Sequence, residues 1–180
     1  MSNVTPAVVL VAMFLASGPQ TAFALTGYGG ESERYDFEEK PWVEEKTVIP
    51  DFPKTENLIE FAVGPTERNR FYVDGTTISI GADGIIRYVL VLKTTGGAIN
   101  VTLEGMRCAT RELKLIAVGR SDGGWEKILK PVWRTIENKL VNQHHAVLNR
   151  NFFCPSGHTP RDSAEARTAL KRGKHEDAPG

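Results

Sequence analysis

The chain has 180 residues, room for one ordinary domain with tails and too few for two. Its 22 basic and 22 acidic side chains cancel, which excludes a general electrostatic pull toward nucleic acid or an anionic membrane. With 41% hydrophobic and 24% charged residues, the composition is that of a folded globular protein and excludes a chain that is wholly disordered or fibrous.

The first segment predicts the compartment. Residues 7–16 (AVVLVAMFLA) form an apolar run too short to span a bilayer, and SGPQTAFA follows, with Ala22 and Ala24 in the small-x-small pattern of a signal peptidase site. Residues 1–24 are therefore expected to be a removable signal peptide. One departure is that no Lys or Arg precedes the apolar run; the first basic side chain is Arg34. Export changes the meaning of the two cysteines, because in an oxidising compartment an even pair reads as a bridge. Cys108 and Cys154 are expected to form a disulfide joining the end of a strand to the far end of a covering helix. Neither cysteine forms a ligand pattern with His144, His145, His158 or His175, so neither a metal nor a cofactor is expected.

Residues 25–57 are locally acidic, through Glu31, Glu33, Asp36, Glu38, Glu39, Glu44 and Glu45, and poor in aliphatic side chains. Such a stretch reads either as a solvated linker or as an extended arm pinned to the domain by Trp42 and Phe52. The domain proper is expected over residues 58–173. Six runs carry the β-branched and aromatic enrichment of strands: LIEFAV, RFYVD, TISIG, IIRYVLVLK, INVTLEGMRC and ELKLIAVGR. In the fourth, Ile86, Tyr88, Leu90 and Leu92 share one face while Ile85, Arg87, Val89 and Val91 share the other, which predicts a central strand covered on both sides. The turns between the last four runs are too short for crossovers, so their strands must pair antiparallel.

After the sheet the period changes. Val132, Trp133, Ile136, Leu140, His144, Val147 and Leu148 recur at spacings of three and four after Pro131, which predicts one amphipathic helix of about 18 residues ending at Pro155. A short second helix is expected over residues 163–171, capped by Asp162 with Glu165 placed to reciprocate. Residues 174–180 read as a frayed tail. The expected class is α+β, an antiparallel sheet of about six strands covered by one long C-terminal helix and clipped by a disulfide.

Six ordered blocks, FEEKPWVEE, LIEFAVGP, RFYVDGTTISIGADGIIRYVLV, EGMRCAT, GRSDGGW and NQHHAVLNRNFFCP, make the sequence resemble the CNP-one-like domain family of exported proteobacterial proteins over residues 35–173. The resemblance implies an envelope location and supports the pairing of Cys108 with Cys154. It carries no activity with it.

Three constellations could bear chemistry. Gly119 to Gly123 spell G-x-S-x-G, but the strand, turn and helix of a nucleophile elbow do not surround them, and the composition is that of a hairpin turn. His144 and His145 are adjacent, so on a helix they point about 100 degrees apart and do not chelate one ion together. His144 falls on the apolar stripe as a core histidine, while His145 reaches a flank where Glu104 or Asp122 could meet it. Arg70, Arg107 and Arg120, with Arg68 and Arg111 beside them in the reckoning, lie at strand ends and turns, where convergence would make an anion site.

These readings lead to an exported protein, periplasmic or secreted, that serves as a non-enzymatic binding or structural accessory of the cell envelope. Its partner would be an envelope protein or a small molecule, with no nucleic acid and no stable membrane insertion once the leader is removed. The alternative is a small periplasmic hydrolase or lyase using His145, Arg120 and Asp122 in one cleft. A third expectation is that the acidic arm recruits a partner by adding a strand to the sheet edge.

Overall fold

A computed structural model describes residues 41–179; the expected signal peptide and the first part of the acidic arm, residues 25–40, lie outside the described residues. All six expected strand runs form strands: β1 (Leu58–Phe61), β2 (Arg70–Asp74), β3 (Ser79–Ile80), β4 (Ile85–Lys93), β5 (Ile99–Arg107) and β6 (Glu112–Gly119). Two further short strands join them, β7 (Trp125–Lys127) and β8 (Arg134–Thr135). The main path of the sheet runs β1-β2-β4-β5-β6-β7, with β3 also on β4 and β8 also on β6, and every pairing is antiparallel.

The alternation in β4 separates two cores. Ile86, Tyr88 and Leu90 point into a larger one with Phe61, Phe71, Val73, Met106 and the C-terminal helical residues Ala146, Val147, Leu148, Phe152 and Phe153. Val89 and Val91 point into a smaller one with Tyr72, Val101, Leu103 and Ala117, closed by Ile49, Phe52, Leu58 and Trp125. Residues of opposite parity on one strand face opposite sides of a sheet, so β4 is buried from Ile85 to Val91 as a strand between two layers must be.

The second layer comes from the acidic stretch. Trp42 donates its indole N–H to the carbonyl of Asp83 at 2.9 Å, and Phe52 packs against Trp125 with ring centroids 5.4 Å apart. Between them, Arg87 on β4 donates to Thr47 Oγ1 and to the carbonyl of Glu45 while ion-pairing with Asp83 at 2.6 Å. Lys114 ion-pairs with Glu44, whose carboxylate also accepts the Trp133 indole N–H. Residues 41–57 thus lie on the sheet as a bonded layer.

The long covering helix is a correction. Its expected first half is extended: Arg134 and Thr135 form β8 against Glu112 and Leu113, and the Ile136 N–H donates to the carbonyl of Arg111. Val132 is 55% exposed and Leu140 84% exposed, so the apolar spacing of four does not mark one face of a helix there. Helix begins with a single 3-10 turn at Leu140–Asn142, continues as α1 (Gln143–Val147) and ends as a π-helical turn (Leu148–Phe153). The physical reason is twofold. The outer edge of β6 leaves unpaired backbone groups at Glu112 and Leu113, and Val132, Thr135 and Ile136 are β-branched, so an extended partner is the better solution.

The disulfide joins Cys108, just past β5, to Cys154, just past the π-helical turn, at a sequence separation of 46. The second helix, α2 (Ser163–Arg172), has Asp162 accepting from the backbone N–H groups of Ala164 and Glu165. Glu165 accepts from the N–H of Arg161, one residue before the cap, so the reciprocal bond is shifted by one position. The expected fraying after residue 173 is also corrected through residue 179. His175 is buried, its N–H donates to the carbonyl of Asn151, its ring nitrogen Nε2 bonds Glu165 at 3.0 Å, and Ala178 is buried beyond it.

Candidate functional site

Glu104 is the buried carboxylate of the larger core, 3% exposed, and β5 places it there by parity with Met106. The register between β5 and β6 shifts at this residue: Leu103 opposes Ala117 but Glu104 opposes Leu115, leaving Ile116 as an extra residue. Such a bulge bends a strand and re-aims its side chains. Tyr88, directly opposite Glu104 on β4, donates its hydroxyl to Oε2 at 2.9 Å, and Thr102 donates to Oε1 at 2.9 Å. His145 Nε2, from α1, lies 3.1 Å from both carboxylate oxygens.

These four groups form an ion-paired network. Burial would push the Glu104 carboxyl up, but the His145 charge and the three side-chain donors hold it below its ordinary value. Burial likewise works against a charged His145, and the adjacent carboxylate overrides it, so the imidazole titrates above its ordinary value. Burial and the negative Glu104 together raise the Tyr88 phenol well above its ordinary range. The pair thus favours the carboxylate and the imidazolium together, with the Tyr88 hydroxyl kept as a donor to Oε2.

His144 behaves oppositely. Its ring stacks on Phe71 with centroids 4.6 Å apart, and burial followed by the neighbouring His145 lowers its pKa to about 4. The two imidazoles, expected to diverge by helix geometry, have centroids 4.0 Å apart, yet their pKa values are displaced in opposite directions, His144 downward and His145 upward. Among the described residues no three His, Cys, Asp or Glu side chains gather as a metal site requires.

His145 also forms part of the wall of a cleft of about 450 Å³. Leu113 and Ile136 supply apolar lining, Arg134 and Thr135 of β8 enter it, and Glu137, Lys139 and Asn142 complete it. Lys139 is paired with Glu137 at 2.6 Å. Arg134 and Lys139 had no signal in the sequence as site residues, because both fall on the polar side of a helix that does not form. Glu104 was legible only as a possible partner of His145.

The remaining sequence candidates lie apart from this cleft's lining. Arg120 and Asp122 pair with each other at 2.7 Å in the exposed turn between β6 and β7. That turn holds Ser121, with the Arg120 N–H donating to the Gly124 carbonyl and Gly123 at φ 81°, a hairpin in place of a nucleophile elbow. The three arginines considered as an anion site each have their own carboxylate: Arg70 with Glu60, Arg107 with Glu112, Arg120 with Asp122. Arg107 in addition lies over the Trp42 ring, 4.0 Å from its centroid. Arg111 donates to Asn138. No helix among the described residues is long and apolar enough to cross a membrane.

No curated protein and no solved structure matches the chain. A family model does, over residues 37–171, a span that takes in the described part of the arm, the whole sheet, both cysteines, the Glu104–His145 pair and nearly all of α2. By that match the chain belongs to the CNP1-like family.

Proposed function

We propose that this is an exported envelope protein whose domain binds a ligand in the cleft beside His145 without transforming it. The observation that carries the reading is the pairing of His145 with Glu104: Nε2 is turned inward, 3.1 Å from both oxygens of a carboxylate that is 3% exposed, so that nitrogen is engaged by the fold and the ring is a fixed element of the cleft wall. The apolar leader sequence and the Cys108–Cys154 bridge support an oxidising compartment. A volume of about 450 Å³ suits a small molecule.

A second reading, a small hydrolase or lyase, is favoured by the same pair, since a buried carboxylate that orients a histidine recurs in acid-base sites. One experiment separates the two. Tagged full-length protein is expressed in its own host, fractionated, sequenced at its N-terminus, and examined by native mass spectrometry. The binding reading expects processing after Ala24 and an extra mass that His145→Gln removes. A chain retained in the cytosol with its leader intact, or turnover of an envelope extract that His145→Gln abolishes, overturns it.

A further inference from the structure

We propose that a second cleft, between the arm and the turn after β2, binds a small primary amine, its ammonium held by the Asp74 carboxylate and its carbon body against Phe52 and Pro50. This cleft shares no lining residue with the one beside His145, so the two assignments stand or fall separately.

Asp74 is the last residue of β2 and lies opposite Leu58 on β1. It has the parity of Tyr72, which faces the smaller core, so its side chain points toward the layer that the arm lays on the sheet. The residue is 2% exposed. Its Oδ1 accepts from the Thr76 backbone N–H at 2.8 Å and from the Thr76 hydroxyl at 2.6 Å, which fixes the carboxylate in one orientation. Among the described residues, Oδ2 has no hydrogen-bond donor and no cation within ion-pair distance. A carboxylate oxygen withdrawn from water and left without a donor costs free energy, which a ligand bearing N–H groups would offset. Oδ2 is not fully enclosed, and the space it reaches is the cleft of about 270 Å³ whose wall Asp74 helps to form.

The rest of the wall gives the ligand its class. Asp51 lines the same cleft and is in no ion pair among the described residues. Asn57, at the end of the 3-10 turn Thr55–Asn57, donates its side-chain amide to Thr76 Oγ1 at 3.4 Å, which leaves its carbonyl oxygen as an acceptor. Two carboxylates and an amide carbonyl call for a positively charged group with several donors, and a primary ammonium carries three. A divalent metal fits less well: Lys54 brings an ammonium of the protein's own into the wall, and among the described residues no three His, Cys, Asp or Glu side chains gather. Phe52 and Pro50 supply carbon surface beside these acceptors, and the volume admits only a small molecule.

The test is a titration of the nitrogen-15-labelled protein followed by NMR in phosphate buffer. The probes are n-butylammonium, tetramethylammonium, which has the same charge and carbon count but no N–H donor, uncharged 1-butanol, and calcium chloride. The expected result is saturable movement of the Gly75, Thr76 and Thr77 amide signals by n-butylammonium, with affinity about tenfold or more above that for tetramethylammonium or butanol. Asp74→Asn keeps the shape of the side chain and an acceptor for Thr76, and should weaken n-butylammonium about tenfold or more with melting unchanged. Should that variant melt lower than wild type, Asp51→Asn, at an exposed position, decides in its place: weakening of about threefold supports the site and wild-type affinity overturns it. Equal affinity for tetramethylammonium or butanol, a folded Asp74→Asn protein that binds as wild type does, or no movement of those three amides overturns the amine site. Calcium binding there more tightly than the amine overturns it in favour of a metal. None of these outcomes touches the cleft beside His145.

Discussion

Phe71 and His144 lie nearly face to face, their rings inclined by 20° and 4.6 Å apart, so a half-buried imidazole covers a phenyl ring of the larger core. Burial, with the neighbouring His145 adding to it, lowers the His144 pKa to about 4, whereas Glu104 raises that of His145, one residue on.

Two adjacent histidines displaced in opposite directions predict a maximum in stability near pH 6.5. His144 is depressed in the folded state, so its contribution is present above 6.5 and is lost as pH falls toward about 4; the displacement corresponds to about 3 kcal/mol. His145 is raised, so its contribution is present below 6.5 and is lost as pH rises through its folded value. Urea midpoints measured from pH 4 to 9 should trace both limbs. His144→Phe should flatten the acid limb, and His145→Gln the alkaline one. A wild-type profile flat between pH 5 and 8 would show that neither ring titrates as described.

The buried pair itself predicts a non-additive result. Glu104→Gln leaves the His145 charge without its partner and should cost about 3 kcal/mol, toward the lower end for broken buried pairs because His145 is partly solvated. Tyr88→Phe removes one bond to the carboxylate and should cost about 1.5 to 3 kcal/mol. The double variant Glu104→Leu with His145→Leu should recover much of the loss, because two apolar side chains replace two desolvated charges. Equilibrium denaturation of the double variant beside its two single variants, Glu104→Leu and His145→Leu, checks this, and strictly additive losses would contradict it.

The parts of the fold that sequence reveals are those where one local rule acts alone. Strict alternation over Ile85–Leu92 identified β4 and both its faces because a strand between two layers leaves no other arrangement. Short turns dictated antiparallel pairing on their own. The segment from Pro131 to Asn142 was misread because spacing by four is shared by helix and by an extended chain whose apolar residues serve different neighbours. Trp133 goes to Trp42, Ile136 to the larger core, and Leu140 to solvent. The same misreading hid Arg134 and Lys139. Glu104 sat in plain view on a strand, but its burial depends on Tyr88, Thr102 and His145 meeting it from three elements, which no local pattern encodes.

The Cys108–Cys154 bridge closes a loop of 46 residues, and constraint of the unfolded chain predicts a contribution of about 3 to 4 kcal/mol. Both cysteines are buried in the larger core, so Cys108→Ala with Cys154→Ala should lose that amount and, in addition, the packing of two buried sulfur atoms. Urea unfolding of the variant beside the wild type, each with and without dithiothreitol, makes the comparison. Reductant should move the wild-type midpoint under denaturing conditions and leave the variant unaffected. Equal midpoints for the two oxidised proteins would contradict a stabilising bridge.

The arm offers a test of whether residues 41–57 belong to the fold. A methyl group at Gly119 would sit 2.7 Å from Val101 Cβ and 2.8 Å from the Phe52 ring, closer than carbon atoms approach, so the absence of a side chain there is what lets Phe52 lie on β6. Gly119→Ala should therefore destabilise by about 1 to 3 kcal/mol and loosen the arm at that end. At the other end, Asp83→Ala removes the ion-pair partner of the buried Arg87 and the acceptor of the Glu45 N–H, and should cost about 3 to 5 kcal/mol. Limited proteolysis distinguishes a loosened arm from general unfolding: both variants should be cut within residues 41–57 at protease levels that leave the sheet intact. Wild-type resistance in that stretch, with melting unchanged in both variants, would mean that the arm rests on the sheet without stabilising it.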